Sequence, residues 1–190
     1  MHDRLRLATA ATLVGMALLS GCSDRQEAST TLPTSAAAPT TEALPLLGPP
    51  DFPVPPEART KDAAGAEAFL RYYTALLNRQ RPLLEGQPLR DLGPECEDCW
   101  RIAKNYEEAK AAGQHYEGGE LTMNDVADPD LNDETASLVF GVRQEAVDLV
   151  DHNGEPVVPG LETQPNMGSG MTLNWSEDDH SWLVKSMTLG

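Results

Sequence analysis

The spacing of apolar residues changes at Gly113, and that change does most to limit what this chain can fold into. Before it, Ala66, Phe69, Leu70, Tyr73, Leu76 and Leu77 recur at intervals of three and four, as do Cys99, Ile102, Ala103, Tyr106 and Ala109. Each set makes one apolar stripe on a helix of 3.6 residues per turn. After Gly113 the interval is two: Leu121 and Met123, then Leu138, Phe140 and Val142, then Met171, Leu173 and Trp175, and a last strand over Trp182 to Leu189. Strand side chains alternate between faces, so this pattern describes a sheet with one apolar side. The phase slips between Val142 and Val147, the mark of a β-bulge and a bent strand, and Asn153-Gly154 is a tight-turn pair. Helices followed by about four antiparallel strands predict an α+β domain, with the N-terminal helices packed on one face of a bent sheet.

Local signals set the helix ends. Asp62 is suited to cap the first helix, and Pro82 is expected to stop it. A short turn of helix is expected over Pro88 to Leu92. A third helix is expected from Pro94 or Glu95, with Glu95, Glu97 and Asp98 in its first turn, where the helix dipole favours negative charge. Gly113 suits the position just past its end.

Upstream of this domain, residues 60–190, the composition shifts. Ser23 to Arg59 is rich in Pro, Ser, Thr and Ala, and Ser23 to Thr41 lacks either period, so residues 22–59 are read as Cys22 followed by a disordered tether. Leu44, Leu46, Leu47, Phe52 and Val54 form a faint apolar cluster near its end, read as a strap lying on the domain. Residues 1–21 read as an export signal: Arg4 and Arg6 precede an uncharged apolar run, Ala8 to Leu19, that is too short to span a bilayer. The run ends in Leu19-Ser20-Gly21-Cys22, which resembles the lipobox of bacterial lipoproteins. That resemblance implies cleavage before Cys22, a diacylglycerol on its thiol, and a protein held at the extracytoplasmic face of the cell membrane. Two acyl chains suffice for a stable anchor.

The chain carries 30 acidic and 14 basic side chains, a formal net charge of −16, which argues against a nucleic-acid partner. With Cys22 assigned to lipid, Cys96 and Cys99 remain. Three residues apart at a helix start, they lie within disulfide reach. A structural bridge is the first reading. A thioredoxin-like redox pair is the second, opposed by the carboxylates of Glu95, Glu97 and Asp98, and a reduced or metal-linked pair is the third. His115, His152 and His180 have no ligand spacing, so no metal site is expected. Asp125, Asp128, Asp130, Asn132, Asp133 and Glu134 form an acidic run without the Gly and Glu that a calcium loop needs, and they read as a solvated hairpin loop. No fingerprint for a catalytic set or a cofactor occurs.

The stretch Ala64-Gly65-Ala66-Glu67-Ala68-Phe69-Leu70-Arg71-Tyr72-Tyr73, with Leu76-Leu77-Asn78, Cys96-Glu97-Asp98-Cys99, Tyr116-Glu117-Gly118-Gly119 and Trp175…Trp182-Leu183-Val184, resembles a family of cell-surface lipoproteins of high-GC Gram-positive bacteria. The resemblance implies a cone-shaped head like nuclear transport factor 2, also called SnoaL-like, and supplies no catalytic residue. Such cones often enclose a pocket between the first helix and the sheet, and Tyr72, Tyr73, Trp100, Trp175 and Trp182 are the candidates to line it. The functional expectation is a membrane-anchored, non-catalytic binding or scaffolding head, its partner a cell-envelope protein or a small molecule. The alternatives are a small-molecule isomerase or hydrolase using the cone pocket and, less favoured, a thiol-redox protein.

Overall fold

A computed structural model of the protein describes residues 44–190. The signal segment 1–21, Cys22 and the tether as far as residue 43 lie outside the described residues.

Helix α1 spans Ala63–Leu83, with the Asp62 carboxylate accepting from the Gly65 N–H at 2.7 Å. This is the cap expected from the sequence, and it satisfies one of the helix's free donors. Pro82 does not stop the helix where expected. It sits in the last turn, and the helix ends one residue later through Leu84, which takes the left-handed conformation at φ 54°. Leu84 N–H then donates to the Arg81 carbonyl and Glu85 N–H to the Gln80 carbonyl. Helix α2 is short, Gln87–Asp91, and α3 runs Glu97–Ala111, starting two residues later than the sequence suggested because Cys96 is its cap. Gly113, at φ 70°, follows α3 in the left-handed region that favours glycine.

Seven strands follow: β1 His115–Gly118, β2 Leu121–Val126, β3 Asp130–Asn132, β4 Thr135–Gln144, β5 Val147–Val150, β6 Gln164–Ser176 and β7 Ser181–Leu189. The main sheet is antiparallel, in the order β2-β4-β6-β7, with the short β3 also paired to β4. The expected four strands are this path. The acidic run, read as a loop, instead contributes β3 and a hairpin turn at Asp133, φ 50°. Past Gln144 the chain leaves the sheet, and β5 pairs with β1 in a two-stranded ribbon. The phase slip after Val142 marks this departure together with a register shift in the β4–β6 ladder.

The α+β architecture therefore stands, with the helices packed on the inner face of the sheet. Phe69, Leu70, Tyr73, Leu76 and Leu77 of α1 meet Leu138, Phe140 and Val142 of β4, Met171 and Leu173 of β6, and Trp182, Val184 and Met187 of β7 in one core. The ladder between β6 and β7 shifts register beside Leu173 and Val184, and the Val184 N–H bonds the Leu92 carbonyl at 2.7 Å. The bulge thus ties the sheet to the loop between α2 and α3.

The boundary drawn at residue 59 does not coincide with the packing. The described residues before 60 belong to the same folded unit as the helices and sheet, and they lie on the domain as a strap. Val54 and Ala58 are buried, and Leu47 and Phe52 pack against the core, whereas Leu44 and Leu46 stay exposed. Phe52 stacks on Tyr72 with ring centroids 5.2 Å apart, and the Tyr72 hydroxyl donates to the Phe52 carbonyl at 2.8 Å. Gly48 is required here: at φ 81° it passes so close to Tyr72 that an added Cβ would sit 2.2 Å from the hydroxyl. Arg59 closes the strap by donating to the carbonyls of Pro45, Asp179 and His180. A proline-rich segment with few apolar residues can be ordered this way because the helix supplies the apolar surface it lacks.

Candidate functional site

The end of α1, the middle of α3, the β1–β5 ribbon and the end of β7 line a half-open cavity of about 470 Å³. That size falls in the range of small-molecule sites. Leu77 and Arg81, one helical turn apart, enter it from α1, and Ile102 and Tyr106 enter from α3 at the same spacing. Tyr116 comes from β1, Leu121 from β2, Val147 from β5 and Met187 from β7.

The wall between α1 and the sheet is held by Asn78. Its amide donates to the Leu121 carbonyl at 2.8 Å and accepts from the Leu121 N–H at 2.8 Å. Gly118 and Gly119, at φ 73° and 78°, turn the chain from β1 to β2. Glycine at 119 lets two side chains approach, since a Cβ there would lie 2.8 Å from Val147 Cγ2 and 3.3 Å from Arg81 Cζ.

The buried side chains of Leu77, Leu121 and Met187 give the cavity an apolar lining, and polar groups reach it from several elements, Arg81 among them. Arg101 is paired with Asp98 at 2.8 Å. Arg81 is half-buried, and among the described residues no carboxylate lies within ion-pair distance of it. The rings of Tyr106 and Tyr116 meet edge to face, 5.7 Å between centroids. Burial pushes both hydroxyls above the usual tyrosine range, while the Arg81 guanidinium pulls in the opposite direction. Both therefore stay protonated at neutral pH and can donate hydrogen bonds.

None of the five aromatic residues nominated from the sequence lines this cavity. Tyr73 and Trp182 are core residues: the Tyr73 hydroxyl donates to the Leu89 carbonyl, and the Trp182 indole donates to the Thr60 carbonyl at 2.9 Å. Tyr72 is covered by the strap. Trp100, 48% exposed, lies on the outer surface of α3 beneath the Arg90 guanidinium, 5.2 Å from its ring centroid. Trp175 packs edge to face on Trp182, 5.3 Å away, at the far end of the sheet. Aromatic identity points to burial but not to which side of an element faces a cavity.

What the sequence reading passed over is Arg81. It continues the stripe of Phe69, Tyr73 and Leu77 by one turn, so a cation on the apolar face was the available signal. Tyr106 was assigned to the core stripe of α3, and Tyr116 appeared only within the motif ending in Gly118-Gly119.

Cys96 and Cys99 are joined, with Cα atoms 5.2 Å apart and both residues fully buried. Cys96 also caps α3, its sulfur accepting from the Cys99 N–H at 3.1 Å. Gly93 covers the pair, and a Cβ there would come within 3.1 Å of the Cys99 sulfur. Burial removes the access that thiol exchange needs. His115 faces Glu117 at 3.5 Å on the exposed ribbon, and among the described residues no three His, Cys, Asp or Glu side chains converge as metal ligands.

No protein-family model matches this chain, and no curated protein matches it in sequence. Among solved structures it is similar to the intermembrane space region of the chloroplast protein ARC6, at 13% identity and a TM-score of 0.48, over 68% of this chain and 97% of that one. It is similar to the protein Rd1NTF2_05, at 16% identity and a TM-score of 0.37, over 66% and 99% of the two chains. It is also similar to Aln2 from a Streptomyces species, at 11% identity and a TM-score of 0.41, over 68% and 93%. At this distance the likeness is one of general architecture and carries no residue across.

Proposed function

We propose that this protein is a lipid-anchored, extracytoplasmic protein whose head binds a small, largely apolar molecule without transforming it. The observation that carries the binding reading is the cavity between α1, α3 and the ribbon: large enough for a small molecule, and lined by buried apolar side chains together with hydrogen-bond donors. The polar groups there include the Arg81 guanidinium and two protonated phenols, which recognise and orient a bound molecule. The expectation of a pocket between the first helix and the sheet is kept, with different residues lining it.

The anchor rests on Arg4, Arg6, the apolar run Ala8 to Leu19, and Leu19-Ser20-Gly21-Cys22. The joined Cys96 and Cys99 fit an oxidising compartment outside the cytoplasm. In this reading Cys22 carries the lipid, and the strap holds the end of the tether against α1.

Two experiments test the two halves. Cys22→Ser should release the protein from the membrane fraction, and unchanged membrane association would contradict the anchor. Ile102→Trp fills the cavity from α3. It should abolish binding of the neutral apolar dye Nile red while leaving the thermal unfolding transition cooperative. Equal dye binding by the parent and the variant would contradict the cavity as the site.

A further inference from the structure

We propose that the ligand is a single-chain amphiphile with an anionic oxygen head group, its charge held by Arg81 and its tail packed on Leu77, Ile102, Leu121 and Met187. The inference rests on the cavity being the binding site and adds the chemical class of its occupant.

Two observations point to an anion and a third to its apolar tail. First, this is a chain with 30 acidic and 14 basic side chains, so carboxylates are abundant partners for any cation. Arg71, Arg79, Arg90, Arg101 and Arg143 each take one, and Arg59 is held by backbone carbonyls. Among the described residues Arg81 alone of the arginines has neither, although it stands half-buried against a cavity. A guanidinium presents a planar fork suited to two oxygens of one carboxylate or phosphate.

Second, the groups beside it are donors. The hydroxyls of Tyr106 and Tyr116 also line the cavity, and the one acidic side chain there, Asp98, is already paired with Arg101. A cationic ligand would find no unpaired acidic side chain in the lining and would meet Arg81. The strong negative charge of the whole protein does not reverse this. Exposed charges are screened over about 8 Å at physiological ionic strength, whereas Arg81 would act at contact distance in a partly dry site.

Third, the rest of the lining suits a tail. Leu77 and Leu121 are almost fully buried, Ile102 and Val147 are half-buried, and Leu161, 61% exposed on the outside, also lines the cavity. Leu161 follows the exposed Val157 and Val158 on the loop before β6, so this part of the lining belongs to a loop that carries exposed apolar side chains. That loop is fixed to β5 by paired bonds between Val147 and Leu161 and by the Val157 N–H on the Leu149 carbonyl.

The test compares ten-carbon probes below their micelle concentrations at neutral pH, using the full-length protein and calorimetric titration. Decanoate and decyl phosphate supply the two sources of anionic oxygen. Decanol and decyltrimethylammonium supply the neutral and cationic controls. The expected result is that both anions bind at least about tenfold tighter than decanol, the scale of one charge-assisted hydrogen-bonded contact. Arg81→Gln should bring the anions down to the level of decanol and leave decanol unchanged, while Arg81→Lys should keep part of the preference. Decanol binding as tightly as decanoate to the parent protein would overturn the anionic class and leave the cavity reading intact, as would preference for the cation. No binding of any probe, or binding that survives Ile102→Trp, would overturn both. The comparison among probes on the parent protein decides the matter even where a variant fails to fold.

Discussion

Asn78 holds Leu121 with two hydrogen bonds, both 2.8 Å, so a helix side chain pairs with the first residue of β2 as a neighbouring strand would. The contact joins helix to sheet beside the cavity, because the residue before Asn78 and Leu121 itself both line it. A side-chain amide is the one group short enough to fit and able to donate and accept at once.

Asn78→Ala should therefore destabilise the head by about 2 kcal/mol, the combined effect of two lost hydrogen bonds and a backbone pair left unsatisfied. For a domain of this size that lowers the midpoint of thermal unfolding by roughly 6 °C. Asn78→Asp keeps the acceptor and loses the donor, and should fall between. A midpoint unchanged in Asn78→Ala would show that water replaces the pair without loss.

The strap makes a prediction about truncation. A chain beginning at residue 44 should unfold like the full-length protein. One beginning at residue 60 should lose at least about 3 kcal/mol, the burial of Val54 with part of Phe52, since removing buried apolar side chains costs that much. Mild proteolysis should accordingly stop before the strap rather than at Arg59. A protected fragment that starts near residue 60 would contradict the packing of Phe52 on Tyr72.

The bridge between Cys96 and Cys99 should contribute modestly. Its ring is short, so replacing both cysteines with Ala should cost less than the roughly 3 kcal/mol expected for a 15-residue loop, with helix and strand content unchanged. The buried sulfurs should resist reduction in the folded protein and react only after denaturation. Rapid reduction under native conditions would favour the thiol-exchange reading instead.

Alkaline titration follows from the tyrosines. Burial pushes the Tyr72 hydroxyl up to about 12, and that of Tyr106 upward as well. In the unfolded chain each would ionise near the ordinary value of about 10. Between these values the unfolded state has lost the proton and the folded state keeps it. The tyrosines' contribution to stability is thus whole below about pH 10 and declines as pH rises toward 12. Tyrosinate absorbance followed beside circular dichroism should show ionisation of these groups together with unfolding. Full ionisation of all the tyrosines near pH 10 in a folded protein would contradict their burial.

The elements were legible in the sequence because each depends on its own residues. Asp62, the stripes of α1 and α3, Gly113 and the alternation of β4, β6 and β7 all appear as expected. Alternation assigns a face to a strand but not a partner, which is why β5 was expected in the main sheet and pairs with β1. Pro82 is expected to stop the helix, whereas in the last turn the lost bond is a single one and the helix ends one residue later through the left-handed Leu84. The site was the least legible part. Trp and Tyr declare themselves by type, and the five nominated ones went to the core, the strap contact and the surface. Arg81 and Tyr116 become a site only when α1 and β1 are brought together by the Gly118-Gly119 turn.

The central claim is that the cavity between α1, α3 and the ribbon binds a small, largely apolar molecule. The most direct measurement is nuclear magnetic resonance of the folded head during titration with decanol, following side-chain signals of Leu77, Ile102, Tyr106, Tyr116, Leu121, Val147 and Met187. The account predicts saturable shifts confined to these residues and their neighbours, absent in Ile102→Trp. Shifts centred instead on Trp100, Trp175 or the outer face of the sheet, or no shifts at all, would contradict it.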